Sequence, residues 1–177
     1  MSSEVYSSAS PQRQDTIVRA AARDDVSAIN AIYNQAVQHT TASWDSTPEP
    51  LETRLAWFDD KIAGGWPVVV AEDASGVVGW GSYGPFRTKD GYAQTVEHSV
   101  YVDLGRRGAG IGSALLVPLI ERARADGHHV MIGGVSADNL GSVAFHQRHG
   151  FVEVARFSEV GRKFDRWLDL VFLQLTL

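Results

Sequence analysis

The spacing of apolar positions changes along the chain between a helical and an alternating period, and each change marks a predicted element. Apolar residues recur three and four positions apart between Val26 and Val37 and again between Ile111 and Ala123, which predicts amphipathic helices. Short apolar runs bounded by glycine, proline or aspartate predict strands. The predicted helices cover residues 26–39, 51–63, 111–125 and 139–149. The predicted strands cover residues 17–20, 67–71, 77–83, 93–102, 130–135, 151–156 and 168–175.

The order of these elements predicts the fold class. A hairpin follows the first two helices, and strands alternate with helices in the second half, which is typical of one mixed α/β (α+β) domain. We place this domain at residues 17–177, with Asp24 as the N-cap of its first helix. Residues 1–16 are rich in Ser, Gln and charge and have little to bury, so we expect a disordered tail there.

Composition excludes several classes of protein. The chain has 177 residues, a formal net charge of −5 and no cysteine. The absence of cysteine excludes disulfide scaffolds, thiolate metal sites and cysteine nucleophiles. The acidic balance disfavours nucleic acid as a partner, and no apolar run is long enough to span a membrane. Because no secretory signal is visible either, we expect a cytoplasmic protein.

The segment between Tyr101 and Leu115 has the composition of an anion site. Two arginines, Arg106 and Arg107, precede three alternating glycines and the start of a helix. Glycines let backbone N–H groups converge on a phosphate, and the helix N-terminus adds partial positive charge. A nucleotide-binding loop is excluded because no Gly-Lys-Ser/Thr follows and the glycine spacing is not that of a dinucleotide site. The alternative is a flexible connection into the helix.

The spacing Arg107-x-x-Gly110-x-Gly112 resembles the pyrophosphate loop of the GNAT acyl-CoA N-acyltransferases. Further blocks resemble the same family in order along the chain, and some are similar to its phosphinothricin and L-amino-acid (methionine sulfone/sulfoximine) N-acetyltransferase subgroup. These blocks are Trp44-Asp45-Ser46, Gly84-Pro85-Phe86-Arg87, Thr95–Val102, Asn139–His146 with Gly150-Phe151, and residues 161–169. The resemblance implies a GNAT fold, with a mixed central sheet flanked by helices, and acetyl-CoA as co-substrate without a metal.

The resemblance also implies the residues that hold acetyl-CoA. They are Val100, Tyr101, Val102, Arg107, Gly108, Ala109, Gly110, Ile111, Gly112, Ser113 and Asn139. In the family the amide of the residue at Asn139 contacts the pantetheine arm. An N-cap role for Asn139 is the other interpretation, and the two are compatible.

Glu97 is the candidate general base. It lies in the middle of an apolar strand, where partial burial would raise its pKa toward neutrality and suit it to deprotonating an ammonium. The resemblance assigns the same role, acting through water. A solvent-facing position in an alternating strand is the alternative. Without a cysteine or a Ser-His-Asp arrangement, direct attack of the amine on the thioester is the simplest mechanism. In the family a bulged central strand, here near Val102, supplies the oxyanion donor.

Other roles follow from the resemblance. His146 stands where many GNAT relatives have a tyrosine as general acid, so we list it as a catalytic candidate. Its spacing to His149 suits a metal pair, but no carboxylate motif accompanies the two, and we predict no metal site. Arg87 and Tyr92 would bind the acceptor, with Arg87 pairing with a carboxylate and Trp44 forming an apolar wall. A solvated arginine and a core tryptophan are the alternatives.

Three functions remain open on sequence grounds. The first is an acetyl-CoA-dependent N-acetyltransferase that acts on the α-amine of a small amino acid or analogue, such as phosphinothricin or methionine sulfoximine. The second is a protein or peptide N-terminal acetyltransferase. The third is a non-catalytic acyl-CoA-binding module. We also predict a homodimer, with Lys163 and Trp167 near the partner as the resemblance implies.

Overall fold

The computed structural model describes residues 16–177, and the predicted tail lies outside the described residues apart from Thr16. The helices are α1 (Val26–His39), α2 (Leu51–Ala63), α3 (Ile111–Ala125) and α4 (Leu140–Arg148). The strands are β1 (Ile17–Ala20), β2 (Val68–Asp73), β3 (Gly76–Pro85), β4 (Thr95–Val102), β5 (Val130–Ser136), β6 (Val152–Lys163) and β7 (Arg166–Thr176). None of these helices is both long and apolar enough to cross a membrane.

Within the described residues, one sheet contains seven strands in the order β1-β2-β3-β4-β5-β7-β6. Every neighbouring pair is antiparallel except β4 and β5, which are parallel. The helix α3 connects these two strands, as a crossover between parallel strands requires. The expected mixed sheet flanked by helices is therefore confirmed.

The two parallel strands separate after a short contact. Only residues 95–97 of β4 pair with residues 130–132 of β5, although β4 continues to Val102 and β5 to Ser136. The backbone between them opens into a fork beyond Glu97. This fork positions the functional site.

Helices cover both faces of the sheet. On one face, α3 buries the apolar side of its helix against β3 and β4, with Leu115, Leu116 and Leu119 all at most 1% exposed. On the other face, α1 and α2 pack through Ile29 and Phe58 against the sheet. Burying such stripes is what stabilises helices of this length in a protein.

Two boundaries differ from the sequence predictions. A 3₁₀ turn over Arg23–Asp25 precedes α1, so the N-cap position belongs to Asp25 and the prediction of Asp24 is wrong. The carboxylate of Asp25 accepts from the amide of Ala22 at 2.7 Å and pairs with Arg19. The last hairpin is longer than predicted because β6 continues to Lys163. Most residues of β6 are exposed on both faces of the strand, so its sequence does not alternate between apolar and polar residues as a half-buried strand does.

Candidate active site

A cleft lies between the glycine loop, the diverging end of β4 and the helix α4. We call it the loop cleft; its volume is about 530 Å³. The residues predicted to hold the co-substrate line it, with the exception of Ala109. Gly108 and Gly110 both have φ 83°, a left-handed conformation that favours glycine, and Gly110 caps α3. The open first turn of α3 directs unpaired N–H groups toward an anion, so the cleft fits the pyrophosphate of acetyl-CoA.

The two loop arginines do not share one role. Arg106 lies 3.1 Å from the buried carboxylate of Asp73 and donates to the hydroxyl of Ser75 at 2.8 Å, so it fastens the loop to the turn between β2 and β3. Arg107 forms no ion pair with any described residue and lines the cleft. Arg148, at the end of α4, lines the cleft too. Sequence reasoning missed Arg148 because only the tertiary fold brings α4 against the loop.

Asn139 serves as the N-cap of α4. Its side-chain oxygen accepts from the amide of Ser142 at 3.1 Å, while the residue also lines the loop cleft. The N-cap role is therefore present in the structure. The contact with pantetheine stays a prediction.

Glu97 stands at the fork of β4 and β5. It is the last residue of β4 paired with β5. Its Oε1 lies over Gly134, so that a Cβ added to Gly134 would be only 3.1 Å from this oxygen. The side chain is half-buried, and this burial raises the pKa of the carboxyl, while the nearby Arg87 opposes the shift. A carboxylate with a raised pKa at a cleft is a candidate general base.

A second cavity, which we call the Glu97 cavity, opens on the α1 and α2 side of β4 and has a volume of about 270 Å³. Its lining includes aromatic rings and two cations: Tyr33, Glu49, Arg54, Trp57, Lys61, Trp80, Ser82, Tyr83, Glu97, Ser99 and Tyr101. Glu97 thus faces a space separate from the loop cleft, and the two spaces share Tyr101.

Comparison with known proteins agrees with this geometry. The model of the acetyltransferase (GNAT) family matches residues 29–151. The chain belongs to the GNAT family. It is therefore an N-acetyltransferase, one of the acyltransferases, and GNAT acetyltransferases use acetyl-CoA.

One relative and two solved structures are similar to nearly the whole chain. An L-methionine sulfoximine/L-methionine sulfone acetyltransferase of Pseudomonas aeruginosa is 50% identical over 161 residues, covering 90% of this chain and 94% of the relative. A GNAT superfamily phosphinothricin acetyltransferase from Sinorhizobium meliloti, solved with AcCoA, has a TM-score of 0.88 at 34% identity, covering 92% of this chain and 88% of its own. A ribosomal-protein-alanine N-acetyltransferase from Brucella melitensis has a TM-score of 0.89 at 46% identity, covering 91% and 99%.

The predicted acceptor residues of this GNAT chain fall in two places. Arg87 stacks on Phe86, with its guanidinium carbon 4.8 Å from the ring centroid, and the ring of Tyr92 contacts Phe86 from another side. Arg87 lies close enough to Glu97 to influence the pKa of its carboxyl, since β3 pairs Gly84 with Glu97 just before this segment. Trp44 lies elsewhere: its ring covers Gly161 of β6, where an added Cβ would meet it at 2.2 Å. It lines neither the loop cleft nor the Glu97 cavity.

His146 is buried in a pair with His98. Its Nδ1 lies 2.7 Å from the carbonyl oxygen of Ser142, which can only accept, so Nδ1 carries the proton. Its Nε2 lies 3.1 Å from Nε2 of His98 and accepts from it when both rings are neutral. Burial lowers the pKa of both rings, that of His98 to about 3. A general acid at Nε2 would need a further proton against this shift; the acid role stays a prediction.

Two further expectations concern a bulge near Val102, which would supply the oxyanion donor, and the absence of a metal site. The pairing of β3 with β4 runs from Gly79 and Val102 to Pro85 and Val96 without a register shift, so this ladder contains no bulge near Val102. No group of three metal-binding side chains occurs in residues 16–177.

Proposed function

We propose that the chain transfers the acetyl group of acetyl-CoA to the α-amine of a small amino acid or analogue, with Glu97 as the general base. The single observation that carries this proposal is the position of Glu97. Its half-buried carboxylate lies at the strand fork, facing a cavity on one side of β4 while the loop cleft lies beyond it. A base so placed can reach an amine that approaches the thioester from the side opposite to the CoA arm.

The proposed transfer balances without a covalent enzyme intermediate. Glu97 takes a proton from the acceptor ammonium, directly or through a water. The amine nitrogen then forms a bond to the acetyl carbon and the carbon–sulfur bond breaks. The proton that the nitrogen loses on becoming an amide passes to the departing CoA thiolate. The chain has no cysteine to carry the acetyl group.

Arg87 supports a free amino acid as the acceptor. It forms no ion pair with the described residues and lies close enough to Glu97 to influence its pKa. A guanidinium binds a carboxylate through two parallel hydrogen bonds. An α-amino acid carries its carboxylate one carbon from the amine, so one molecule would satisfy Glu97 and Arg87 together. The Pseudomonas aeruginosa relative, which is 50% identical, is named for two amino acid analogues, L-methionine sulfoximine and L-methionine sulfone.

A protein α-amine is the second candidate acceptor, because the similar Brucella melitensis structure is that of a ribosomal-protein-alanine N-acetyltransferase. An internal peptide bond replaces the carboxylate in such a substrate. Arg87 would then have no anion to bind.

The test is release of CoA thiol from acetyl-CoA with a panel of acceptors. The panel contains L-methionine sulfone, L-methionine sulfoximine, phosphinothricin, L-methionine, the amide of each active member and an alanine-initiated peptide. We expect acetylation of free amino acids and at least a tenfold loss of kcat/KM for the amides. Silence across the panel by a protein that binds acetyl-CoA would refute the proposal, and equal rates for amides and peptide would favour the second candidate.

We further propose that the chain forms a homodimer through the edge strand β6. Apolar side chains crowd this edge and its turn, each about half exposed or more: Val152, Val154, Phe157, Val160, Phe164 and Trp167. An exposed edge with such a patch is an association surface. A second copy of the same edge is its most economical partner, because it satisfies both free strand edges at once.

A further inference from the structure

A short irregular segment, residues 40–45, follows α1 and contacts the walls of both the loop cleft and the Glu97 cavity; we call it the strap. Its Ala42 lines the loop cleft and also a smaller space of about 110 Å³ between the diverging ends of β4 and β5. Its Asp45 accepts, at 2.5 Å, from the hydroxyl of Tyr33, which lines the Glu97 cavity. The position of the strap therefore shapes both spaces.

Side chains, rather than backbone pairing, hold the strap in place. Within residues 16–177, no backbone-to-backbone hydrogen bond involves residues 41–45. The hydroxyl of Thr41 donates to Asp138 at 3.0 Å, and the hydroxyl of Tyr101 donates to the carbonyl of Ala42 at 3.4 Å. Because ordering each residue costs conformational entropy, a segment without backbone partners keeps its position only through such side-chain contacts.

Lys163, the last residue of β6, is buried against the strap. Its side chain is 7% exposed. Its Nζ donates to the carbonyl oxygen of Thr40 at 2.8 Å and to that of Ser43 at 2.5 Å. These two carbonyls stand on either side of Ala42 in the chain, so a single amine fixes the turn that carries a wall of the loop cleft.

Stability alone is a poor reason for a lysine at this position. Both hydrogen-bond partners of Lys163 are neutral carbonyls, and it forms no ion pair with the described residues. Burial lowers the pKa of its amine, while the nearby Asp45 opposes this shift. A buried cation without an ion pair is costly. The amine is therefore explained by the segment that it holds.

We propose that Lys163 is a positioning residue for acetyl-CoA, which holds the strap so that Ala42 forms a wall of the loop cleft. Lys163 lines neither the loop cleft nor the Glu97 cavity, so it acts through the strap. Trp44, whose ring packs on Gly161 of β6, is a second attachment of the strap to the same strand. The inference rests on the proposed function, in which the loop cleft holds acetyl-CoA.

The first test measures the Kd for CoA by calorimetry in Lys163→Met. Methionine keeps an unbranched apolar side chain but donates no hydrogen bond. Losing both hydrogen bonds should leave the strap in place in only about one molecule in ten. An apparent Kd rises by the inverse of the fraction of molecules that are competent to bind, so we expect a rise of about tenfold. An unaltered Kd in folded Lys163→Met would overturn the proposal.

Two control variants separate positioning from a general loss of stability. Arg162→Met changes the exposed neighbour of Lys163 on β6 and should leave the Kd for CoA unchanged. Arg19→Met removes ion pairs with Asp25 and Glu72, none of which lines the loop cleft, so it should lower the melting temperature without changing the Kd. A rise in the Kd of Arg19→Met equal to that of Lys163→Met would assign the effect to lost stability and overturn the proposal.

Trp44→Leu keeps the proposal testable if thermal melts show that Lys163→Met does not fold. Leucine cannot cover Gly161 as the indole does, so the strap loses its other attachment to β6. Since Trp44 does not line the loop cleft, a change in the Kd for CoA must act through the strap. We expect a rise of about threefold. An unaltered Kd in folded Trp44→Leu would then overturn the proposal.

Thiol release with the acceptor panel separates this inference from the proposed function. If the wild type binds CoA but acetylates no acceptor, the proposed function fails, and a raised Kd in Lys163→Met still supports the positioning role. If the wild type acetylates free amino acids and folded Lys163→Met binds CoA as tightly as the wild type does, the proposed function stands and the positioning role fails.

Discussion

Alanine substitutions at two adjacent glycines of β5, Gly133 and Gly134, should have different effects, one on the stability of the enzyme and the other on its turnover. Successive residues of a strand face opposite sides of the sheet. A Cβ on Gly134 would lie 3.1 Å from Oε1 of Glu97, and a Cβ on Gly133 would lie 2.7 Å from Nε2 of His146. One methyl group therefore perturbs Glu97, the proposed base, and the other perturbs the buried pair of His98 and His146.

Gly134→Ala should reduce turnover with little change in stability. The contact at 3.1 Å is tighter than an ordinary carbon–oxygen contact, so the carboxylate must move by a few tenths of an ångström. Since a displacement of about 1 Å can cost about 100-fold in rate, we expect kcat to fall about tenfold. The methyl also removes water from the carboxyl, which raises the pKa of Glu97 further and moves the acid limb of the pH profile upward. Position 134 is exposed, so the melting temperature should change little.

Gly133→Ala should instead destabilise the fold. Nε2 of His146 at 2.7 Å and Nε2 of His98 at 3.0 Å both belong to buried rings that cannot retreat into solvent. Overpacking of this kind costs about 2 kcal/mol. At about 2–4 °C per kcal/mol for a chain of this size, the melting temperature should fall by about 4–8 °C.

The assay measures kcat by thiol release across the pH range and melting temperature by calorimetry for both variants. Wild-type turnover in Gly134→Ala would refute the placement of Glu97 as the base. Equal losses of stability in the two variants would refute the assignment of the two glycines to opposite environments.

Other substitutions test the remaining parts of the site. Glu97→Gln should lower kcat about 100-fold and abolish the acid limb, measured as the pH dependence of thiol release. Because burial raises its folded-state pKa, Glu97 binds protons more readily in the folded than in the unfolded chain and costs stability once ionised, so Glu97→Gln should melt higher than wild type at neutral pH. Arg107→Gln should raise the KM for acetyl-CoA about tenfold, whereas Arg106→Gln should mainly lower the melting temperature, since its charge is held by Asp73; equal effects on KM would contradict this division. Val154→Asp should convert a dimer to a monomer in sedimentation, and an unchanged sedimentation coefficient would contradict the β6 interface.

The parts of the fold that could be predicted from sequence are those with local physical signals. The buried stripe of α3 and the glycines before it have a spacing that few other structures produce, and both lie where expected. The turn between Asp73 and Gly76 is similarly local. Such signals depend on neighbours within a few residues, so one sequence is enough to read them.

The parts that escaped prediction depend on contacts between distant residues. Arg106 and Asp73 are far apart in the chain, and nothing near Arg106 indicates that a turn will take up its charge. The three rings around the guanidinium of Arg54 come from different elements: Tyr33 from α1, Trp57 from α2 and Trp80 from β3. In the sequence, each ring alone has the pattern of a core residue. The position of Trp44 could not be predicted for the same reason, because its ring packs on Gly161 of β6, which is far away in the chain.

The topology of the sheet explains why Glu97, and no other residue of β4, is the proposed base. A parallel neighbour pairs with β4 only as far as Glu97, and beyond this point the strand has a partner on one side alone. Residues before the fork are enclosed by strands on both sides, and Val100, Tyr101 and Val102 after it border the loop cleft. Glu97 is the last residue of β4 that the sheet holds on both sides, and its side chain faces the Glu97 cavity. The half-burial that raises the pKa of Glu97 follows from the same position. In the proposed mechanism, the opening of the strands therefore supplies both the room for substrates and the basicity needed for the transfer.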